Sequence, residues 1–361
     1  MTSVHRAILL VLCGLQFGLA VRAEAGSFAV YRGAADASAA AVVGGDMFVL
    51  ADDEDNALRV YNAGQGSLPI STYDLGAFLG VEAEHPEADI EGAARVGERI
   101  YWITSHGRNK DGKMRPNRYR FFAAVVKVEN GSVTFSPVGT PCRTLAQEMA
   151  RAEVLRPLRL DRVTAFGEEL KKKERERLAP KNEGLNIEGL CATPDGKTLY
   201  IGLRNPQLDG KAIIIPLANP QAVIEEGARP VFEAAILLEL GGRGIRSMEY
   251  RRADDSYLII AGPVDEESDF ALSRWRPEKQ EQQLLVSKLG EDVKGFTPEA
   301  LIIFEETGRV MVLSDDGTMP VEISDPSECA DDGGLLGDGK CLNKYLRDQN
   351  RKSFRGMFLA R

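Results

Sequence analysis

Histidine is scarce in this chain: three in 361 residues, at His5, His85 and His106. Cysteine is scarce too, with five copies and no C-x-x-C or zinc-site spacing among them. A zinc centre built from His and Cys has too few donors here. Also absent are G-x-S-x-G, a P-loop, a dinucleotide-binding fingerprint and H-E-x-x-H, which removes the common serine-hydrolase, nucleotide and metalloprotease signatures. Past the N-terminus no apolar run reaches the ~20 residues of a membrane helix. An excess of positive charge is missing as well. Lys and Arg total 45 against 54 Asp and Glu, a formal charge of −9, which disfavours nucleic acid and anionic membrane as partners.

The N-terminus reads as an export leader. Arg6 supplies the positive region, Ala7 to Val21 is an apolar stretch too short for a span, and Ala23-Glu24-Ala25 fits the small-x-small cleavage rule. Residues 1–25 are therefore expected to be a signal peptide, with an uncleaved anchor as the alternative. The product is expected to be periplasmic or secreted, with no membrane span after cleavage. Loss of Arg6, Arg22 and Glu24 leaves a charge near −10. Four cysteines remain, and an oxidising compartment favours disulfides. The expected pairs are Cys329–Cys341, stapling the loop "ADDGGLLGDGK", and Cys142–Cys191; Cys191 reads equally well as a small buried hydrophobe.

What the chain does have is a repeat. The segments "MFVLADDED" (47–55), "IYWITSHGRN" (100–109), "LYIGLRNP" (199–206), "YLIIAGPVDE" (257–266) and "VMVLSDDG" (310–317) are each rich in β-formers, follow a turn signal and end in polar residues. Upstream of the last four stands an opening motif: Asp89-Ile90-Glu91-Gly92, Asn186-Ile187-Glu188-Gly189, Gly244-Ile245-Arg246-Ser247 and Thr297-Pro298-Glu299-Ala300. Four-strand units at intervals of roughly 50 residues are the pattern of a propeller. The reading is all-β: a single β-propeller domain over 26–361, with five blades, or six. Asn130-Gly131 predicts a hairpin turn. Residues 142–185 predict a helical insertion, with a capping box at Thr144 and Gln147 and a charged helix over 168–178. "SFAVYRG" and "SFRGMFLAR", at the two ends, would share a blade and close the ring.

Inner strands of a propeller surround one axis, so equivalent positions form rings. The opening motif yields Glu91, Glu188, Arg246 and Glu299, with something small near Ser38 in the first blade. The ends of the second strands yield Asp52-Asp53, Ser105-His106, Arg204-Asn205, Gly262-Pro263 and Asp315-Asp316. Carboxylates crowded together raise one another's pKa unless a cation intervenes, and oxygen donors suit Ca²⁺. Glu91, Glu188, Glu299 and Asp315 are the expected metal ligands, His106 the candidate base, and Arg204 and Arg246 the anion-holding groups. The plainer alternative is structural: glycine for close backbone approach and Asp as a turn former. The basic stretch "TSHGRNKDGKMRPNRYR" is either an anion-binding loop or a solvated rim.

The blocks "DIEGAARVGERIYWITSHGRNKDGK", "GLNIEGLCATPDGKTLYIGLRNP" and "GIRSMEYRRADDSYLIIAGP" resemble a bacterial family known as domain of unknown function 3616, over about residues 35–320. The resemblance implies a propeller-like fold, often exported, and supplies no activity. The axial glutamates are similar, at the level of fold, to those of propeller lactonases and phytase-like esterases. Two readings of function follow. One is a metal-dependent hydrolase of a small anionic ester, lactone or phosphoester. The other is a non-catalytic propeller that binds a ligand or an envelope protein, its metal structural or absent.

Overall fold

The computed structural model describes residues 28–265 and 269–360; the expected leader lies outside them. The architecture is a β-propeller. Among the described residues there are five four-stranded antiparallel sheets. The first runs Ala39–Gly44, Met47–Ala51, Ala57–Asn62, Ser71–Asp74 from inside out. The second runs Ile90–Val96, Arg99–Thr104, Phe121–Glu129, Ser132–Cys142. The third is Asn186–Ala192, Leu199–Asn205, Ala212–Leu217, Ile236–Leu238. The fourth is Gly244–Arg251, Ser256–Gly262, Ala271–Arg276, Glu281–Val286. The fifth is Pro298–Phe304, Arg309–Ser314, Ser353–Phe358, with Ala29–Arg32 outermost. Each inner strand touches the next, and the inner strand of the fifth sheet touches that of the first, so the ring closes.

Closure joins the two ends of the chain: Ala29–Arg32 pairs antiparallel with Ser353–Phe358, Tyr31 opposite Phe354. Their rings stack at 5.0 Å and meet Phe48 and Tyr61 of the first sheet at 5.2–5.5 Å. The core lies between neighbouring sheets, where the alternating apolar faces of the strands meet. The turn at Asn130-Gly131 forms as its sequence demands. Both residues have positive φ, 51° and 79°, and Glu129 pairs with Ser132 across it.

Between Cys142 and Asn186 the chain is helical, with Leu145–Arg151, Leu160–Thr164 and Lys172–Arg177 as short α-helices. Leu145 and Met149 dock on the core between the second and third sheets. Two details differ from expectation. Thr144 makes no side-chain cap; its hydroxyl faces the Cys142 sulfur at 3.8 Å instead. The charged helix is shorter than 168–178, because Lys171 is extended, φ −65° and ψ 157°, and starts the helix only there.

A three-stranded sheet of Pro320–Glu322, Leu335–Leu336 and Lys340–Leu342 is inserted in the fifth sheet's sequence. The Cys329–Cys341 disulfide ties it, with Cα atoms 5.8 Å apart. Cys142 and Cys191 are free thiols, which corrects the expected second bridge. Cys142 ends the outermost strand of the second sheet, whereas Cys191 lies on the innermost strand of the third, buried in its core. No helix among the described residues is long and apolar enough to cross a membrane.

Because Tyr31 is fully buried and donates to the Ala63 carbonyl at 2.9 Å, Tyr31→Ala removes both the ring and the clasp. It is expected to cost about 3–5 kcal/mol in urea unfolding, against a change within about 0.5 kcal/mol for its exposed neighbour in Val30→Ala. Equal effects would mean that the ring does not close through this strand.

Candidate functional site

The register of the inner strands explains how charge reaches the axis. Ile90 faces Thr104 and Gly92 faces Ile103, so Glu91 is an extra residue with no cross-strand partner. The same bulge skips Glu188 between Ile187 and Gly189, Arg246 between Ile245 and Ser247, and Glu299 between Pro298 and Ala300. A bulge bends its strand and re-aims one side chain. Here it does so at the same place in four sheets, and the oxygens of Glu91, Glu188 and Glu299 come within 4.8 Å of one another. Arg204 is skipped in turn on the second strand of its sheet, where the partners step from Asn205 to Leu203.

The small residue after each bulge has a packing reason. A Cβ at Gly92 would lie 2.9 Å from Ile103 and 3.0 Å from the Leu190 side chain, and one at Gly189 would lie 2.8 Å from Ile245. Each glycine therefore lets the next inner strand come close. The structural account of the glycine holds, and it coexists with the functional account of the residue before it.

Arg246 sits between two of the glutamates. Its Nε lies 2.8 Å from Glu188 Oε2 and donates to Glu299 Oε2 at 3.2 Å, while its Nη2 also holds Glu299. Glu188 accepts further bonds from Arg204 Nη1 at 3.0 Å and Asn186 Nδ2 at 2.8 Å. Arg204 is anchored by the Pro263 and Asp265 carbonyls. The Arg246 Nη1 is buried without a partner. Among the described residues Glu91 makes no hydrogen bond or ion pair.

The first sheet departs from the pattern. Ser38 takes the axial place, donating to the Ala51 and Ile90 carbonyls at 3.0 and 2.6 Å. Its acid comes from the flanking loops. Asp52 is a turn former, accepting from the Ala35 and Glu54 N–H groups. Asp53 Oδ1 and Asp36 Oδ2 are buried without partners. Asp36 meets Asp315 in an isolated antiparallel bridge, and burial and then the neighbouring Asp315 charge raise the Asp36 carboxyl; a Cβ at Gly317 would lie 1.9 Å from Asp36 Oδ1, so only glycine leaves room for it. Asp89 pairs with Arg118 at 3.2 Å. Two further trios, Asp36/Asp52/Asp53 and Asp53/Asp89/Glu91, hold oxygens within 4.8 Å of one another and share Asp53 and Glu91 as links.

Eight carboxylates thus adjoin at the axis: Asp36, Asp52, Asp53, Asp89, Glu91, Glu188, Glu299 and Asp315. Three guanidiniums, Arg118, Arg204 and Arg246, pair with them. The Lys344 ammonium, on Glu54 at 2.6 Å, adds its field to Asp36 and Asp53. Burial, then mutual repulsion, drives the Asp36, Asp53 and Glu91 carboxyls well above the usual range. Burial pushes Glu299 up to about 7 against the pull of Arg246, Asp89 up to about 6 against that of Arg118, and Asp52, with Asp55 beside it, up to about 6.

The other anticipated groups lie apart from this ring. His106 Nδ1 donates to the Thr104 carbonyl at 2.8 Å, and its ring meets Tyr119 edge-on at 5.7 Å. Burial lowers it to about 4, so it is uncharged at neutral pH. Within the basic stretch, Arg108 donates to the Gly112, Thr164 and Ala165 carbonyls and fastens the helical segment. Of that stretch's charged side chains, Arg118 alone pairs with the axial acids. Asp36, Asp89 and Lys344 escaped the sequence reading, whereas Arg118 belongs to the basic stretch read there as a candidate anion-binding loop, and the anion it meets is the carboxylate of Asp89. Asp89 carried a signal, two residues before Glu91 in the motif; Lys344 carried none.

The profile of a family described as proteins of unknown function, DUF3616, matches residues 36–293. The chain belongs to the DUF3616 family. The match takes in the first four sheets and three of the four axial bulges of this DUF3616 protein. Among solved structures, Myxococcus xanthus glutaminyl cyclase is similar at 12% identity over 92% of this chain and 95% of its own, with a TM-score of 0.42. The β-propeller domain of Myceliophteria thermophila Cps50 (Swd1) is similar at 8% identity over 77% and 79%, with a TM-score of 0.36. Neither likeness bears on activity. No curated protein matches.

Two outcomes follow from the axial electrostatics. Arg246→Met leaves Glu188 and Glu299 facing each other and is expected to cost about 3–5 kcal/mol in urea unfolding, whereas Arg156→Ala, at an exposed pair, stays within about 0.5 kcal/mol; comparable losses would mean that Arg246 does not hold the ring. The raised carboxyls also set a pH dependence. Their folded pKa values exceed the ordinary ~4, so their stabilisation is complete below that pH and is lost as pH rises through 6 to 7. Protein treated with chelator should melt higher at pH 5 than at pH 8, and Asp53→Asn should narrow the gap; an unchanged gap would show that these groups are compensated.

Proposed function

We propose that the axial carboxylates hold a hard divalent cation of the calcium class, and that this protein is an exported, metal-dependent hydrolase of a small ester, lactone or phosphoester. The observation that supports this most is Glu91, a buried carboxylate with no hydrogen-bond or ion-pair partner among seven others. Buried charge without a partner is costly, and eight carboxylates against three guanidiniums leave a surplus that protons or a cation must meet. Oxygens about 2.4 Å from one calcium lie at most ~5 Å apart, a limit that the trio of Glu91, Glu188 and Glu299 meets, its oxygens lying within 4.8 Å of one another. Asp53, Asp89 and Asp315 stand by as further donors.

When bound, the ion would supply Lewis-acid polarisation of the scissile oxygen. The chain's own groups divide the remaining work. Arg204 and Arg246 hold Glu188 and Glu299 in place, and the Nη1 of Arg246, buried without a partner, keeps one donor beside the ring unused. The base role falls to Asp53, whose Oδ1 is buried without a partner beside Asp89 and Glu91; the His106 ring faces Tyr119. The disulfide suits the oxidising setting of a periplasmic or secreted protein. A second reading, a non-catalytic propeller that binds a ligand or an envelope protein around a structural ion, is favoured by the ties that already engage Glu188 and Glu299.

Elemental mass spectrometry of the mature protein should find roughly one calcium per chain. Calcium at 100 times its Kd should add about 2.7 kcal/mol of stability after chelation, and Glu91→Gln should abolish that response. No metal and no chelator effect would refute the cation. A bound cation with no turnover across a screen of lactones, esters and phosphoesters would leave the binding role.

A further inference from the structure

The inner strands have two ends, and the acidic group occupies one. At the other, about 15 Å away for the five residues from Glu91 to Val96, lies a cavity of about 570 Å³. All five sheets contribute to its wall, mainly through the hairpins that join first and second strands: Val42 to Gly45, Arg95 to Gly97, Cys191 to Gly196, Glu249 to Arg252 and Ile303 to Glu306. Its volume falls within the ~300–1,000 Å³ range of small-molecule sites. Nothing in the axial chemistry accounts for it.

The wall has an apolar side and a charged side. Val42, Val96, Ile303 and Phe304 supply the first, with Tyr250 beside them. On the second, Glu249 and Glu305 are close enough that Glu305 is the main charge acting on Glu249. Burial and that repulsion push the half-buried Glu249 carboxyl up to about 8. Glu305 Oε1 takes the Arg252 backbone N–H at 3.0 Å. Among the described residues neither carboxylate is in an ion pair. Two guanidiniums line the cavity: Arg95, across it, is committed to the Val42 and Gly97 carbonyls at 2.7 and 2.8 Å, and Arg252 acts on Tyr250 rather than on Glu249. Asp195 is likewise engaged by Thr193 and Lys197. Two adjacent carboxylates beside an apolar wall, with no cation of their own, form a receptor for a positive group on an apolar body.

We infer that this second mouth binds a small primary amine, its ammonium on Glu249 and Glu305 and its apolar body against Tyr250, Phe304 and Ile303. The site is independent of the axial cation, since no residue is shared between the two. It assigns a role to Glu249, which the axial chemistry leaves unused.

Phenethylamine and its neutral isostere 2-phenylethanol distinguish the charge from the apolar body. Calorimetric titration of the mature protein should show saturable binding of the amine, with the alcohol about tenfold weaker or more. Glu249→Gln should weaken the amine by about tenfold and leave the alcohol unchanged. Glu305→Gln, at an exposed position, provides the same comparison if the first variant does not fold. The amine affinity should be the same in chelator and in excess calcium, which separates this site from the axial one. No saturable binding, equal binding of the two probes, or unaltered amine binding in a folded variant would overturn the inference.

Discussion

Arg246 lies between Glu188 and Glu299, and the centre of the ring depends on that placement. A propeller brings equivalent positions of every repeat to one axis, so a repeat that carries glutamate at its bulge brings glutamates together. Three such groups with oxygens within 4.8 Å repel strongly once water is excluded. The fourth copy replaces the acid with a guanidinium, which is buried, permanently charged and geometrically able to meet two carboxylates. The first sheet carries no charge at the axial place, because Ser38 occupies it and bonds to two carbonyls. The ring is therefore built from near-repeats whose differences limit the cost of bringing them together.

Glu91 remains outside that compensation. The neighbouring trio runs through Asp89 and Asp53 toward Asp36 and Asp315, so negative charge continues past the inner strands into the loops. Lys344 comes to the edge of this group from the disulfide-tied segment, its backbone N–H on the Gly317 carbonyl. Asn343 beside it clasps the Asp316 and Ser353 carbonyls. The helical segment serves another part of the same face: Arg108 fastens it to the loop that also holds His106 and Arg118. Two insertions of unrelated structure thus brace the acidic mouth, while the opposite mouth is built from plain hairpins.

Much of this was legible in the residue order. The apolar strands with their turn signals marked the sheets, and the opening motif marked the column of Glu91, Glu188, Arg246 and Glu299 before any contact was known. The glycine that follows two of these residues also had a readable meaning, since a residue without Cβ in a strand signals close backbone approach. The hairpin at Asn130-Gly131 and the Cys329–Cys341 bridge followed from local chemistry and a short loop. Local signals misled where a competing contact intervened, as at Thr144, whose hydroxyl turned to Cys142, and at Cys142 and Cys191, whose strands lie at opposite edges of different sheets.

The sequence by itself determined the repeat, the all-β architecture and the residue type that each inner strand carries to the axis, because periodic burial and turn chemistry act over a few residues at a time. Only the tertiary structure decided which charges meet. The pairing of Arg246 with Glu188 and Glu299, the union of Asp53 with Asp89 and Glu91, the approach of Lys344, and the turning of His106 toward Tyr119 all depend on one-residue register shifts and on the closing of a ring by strands more than 300 residues apart. Such contacts join elements distant along the chain, and their geometry is set by the twist and packing of whole sheets rather than by any short stretch of residues.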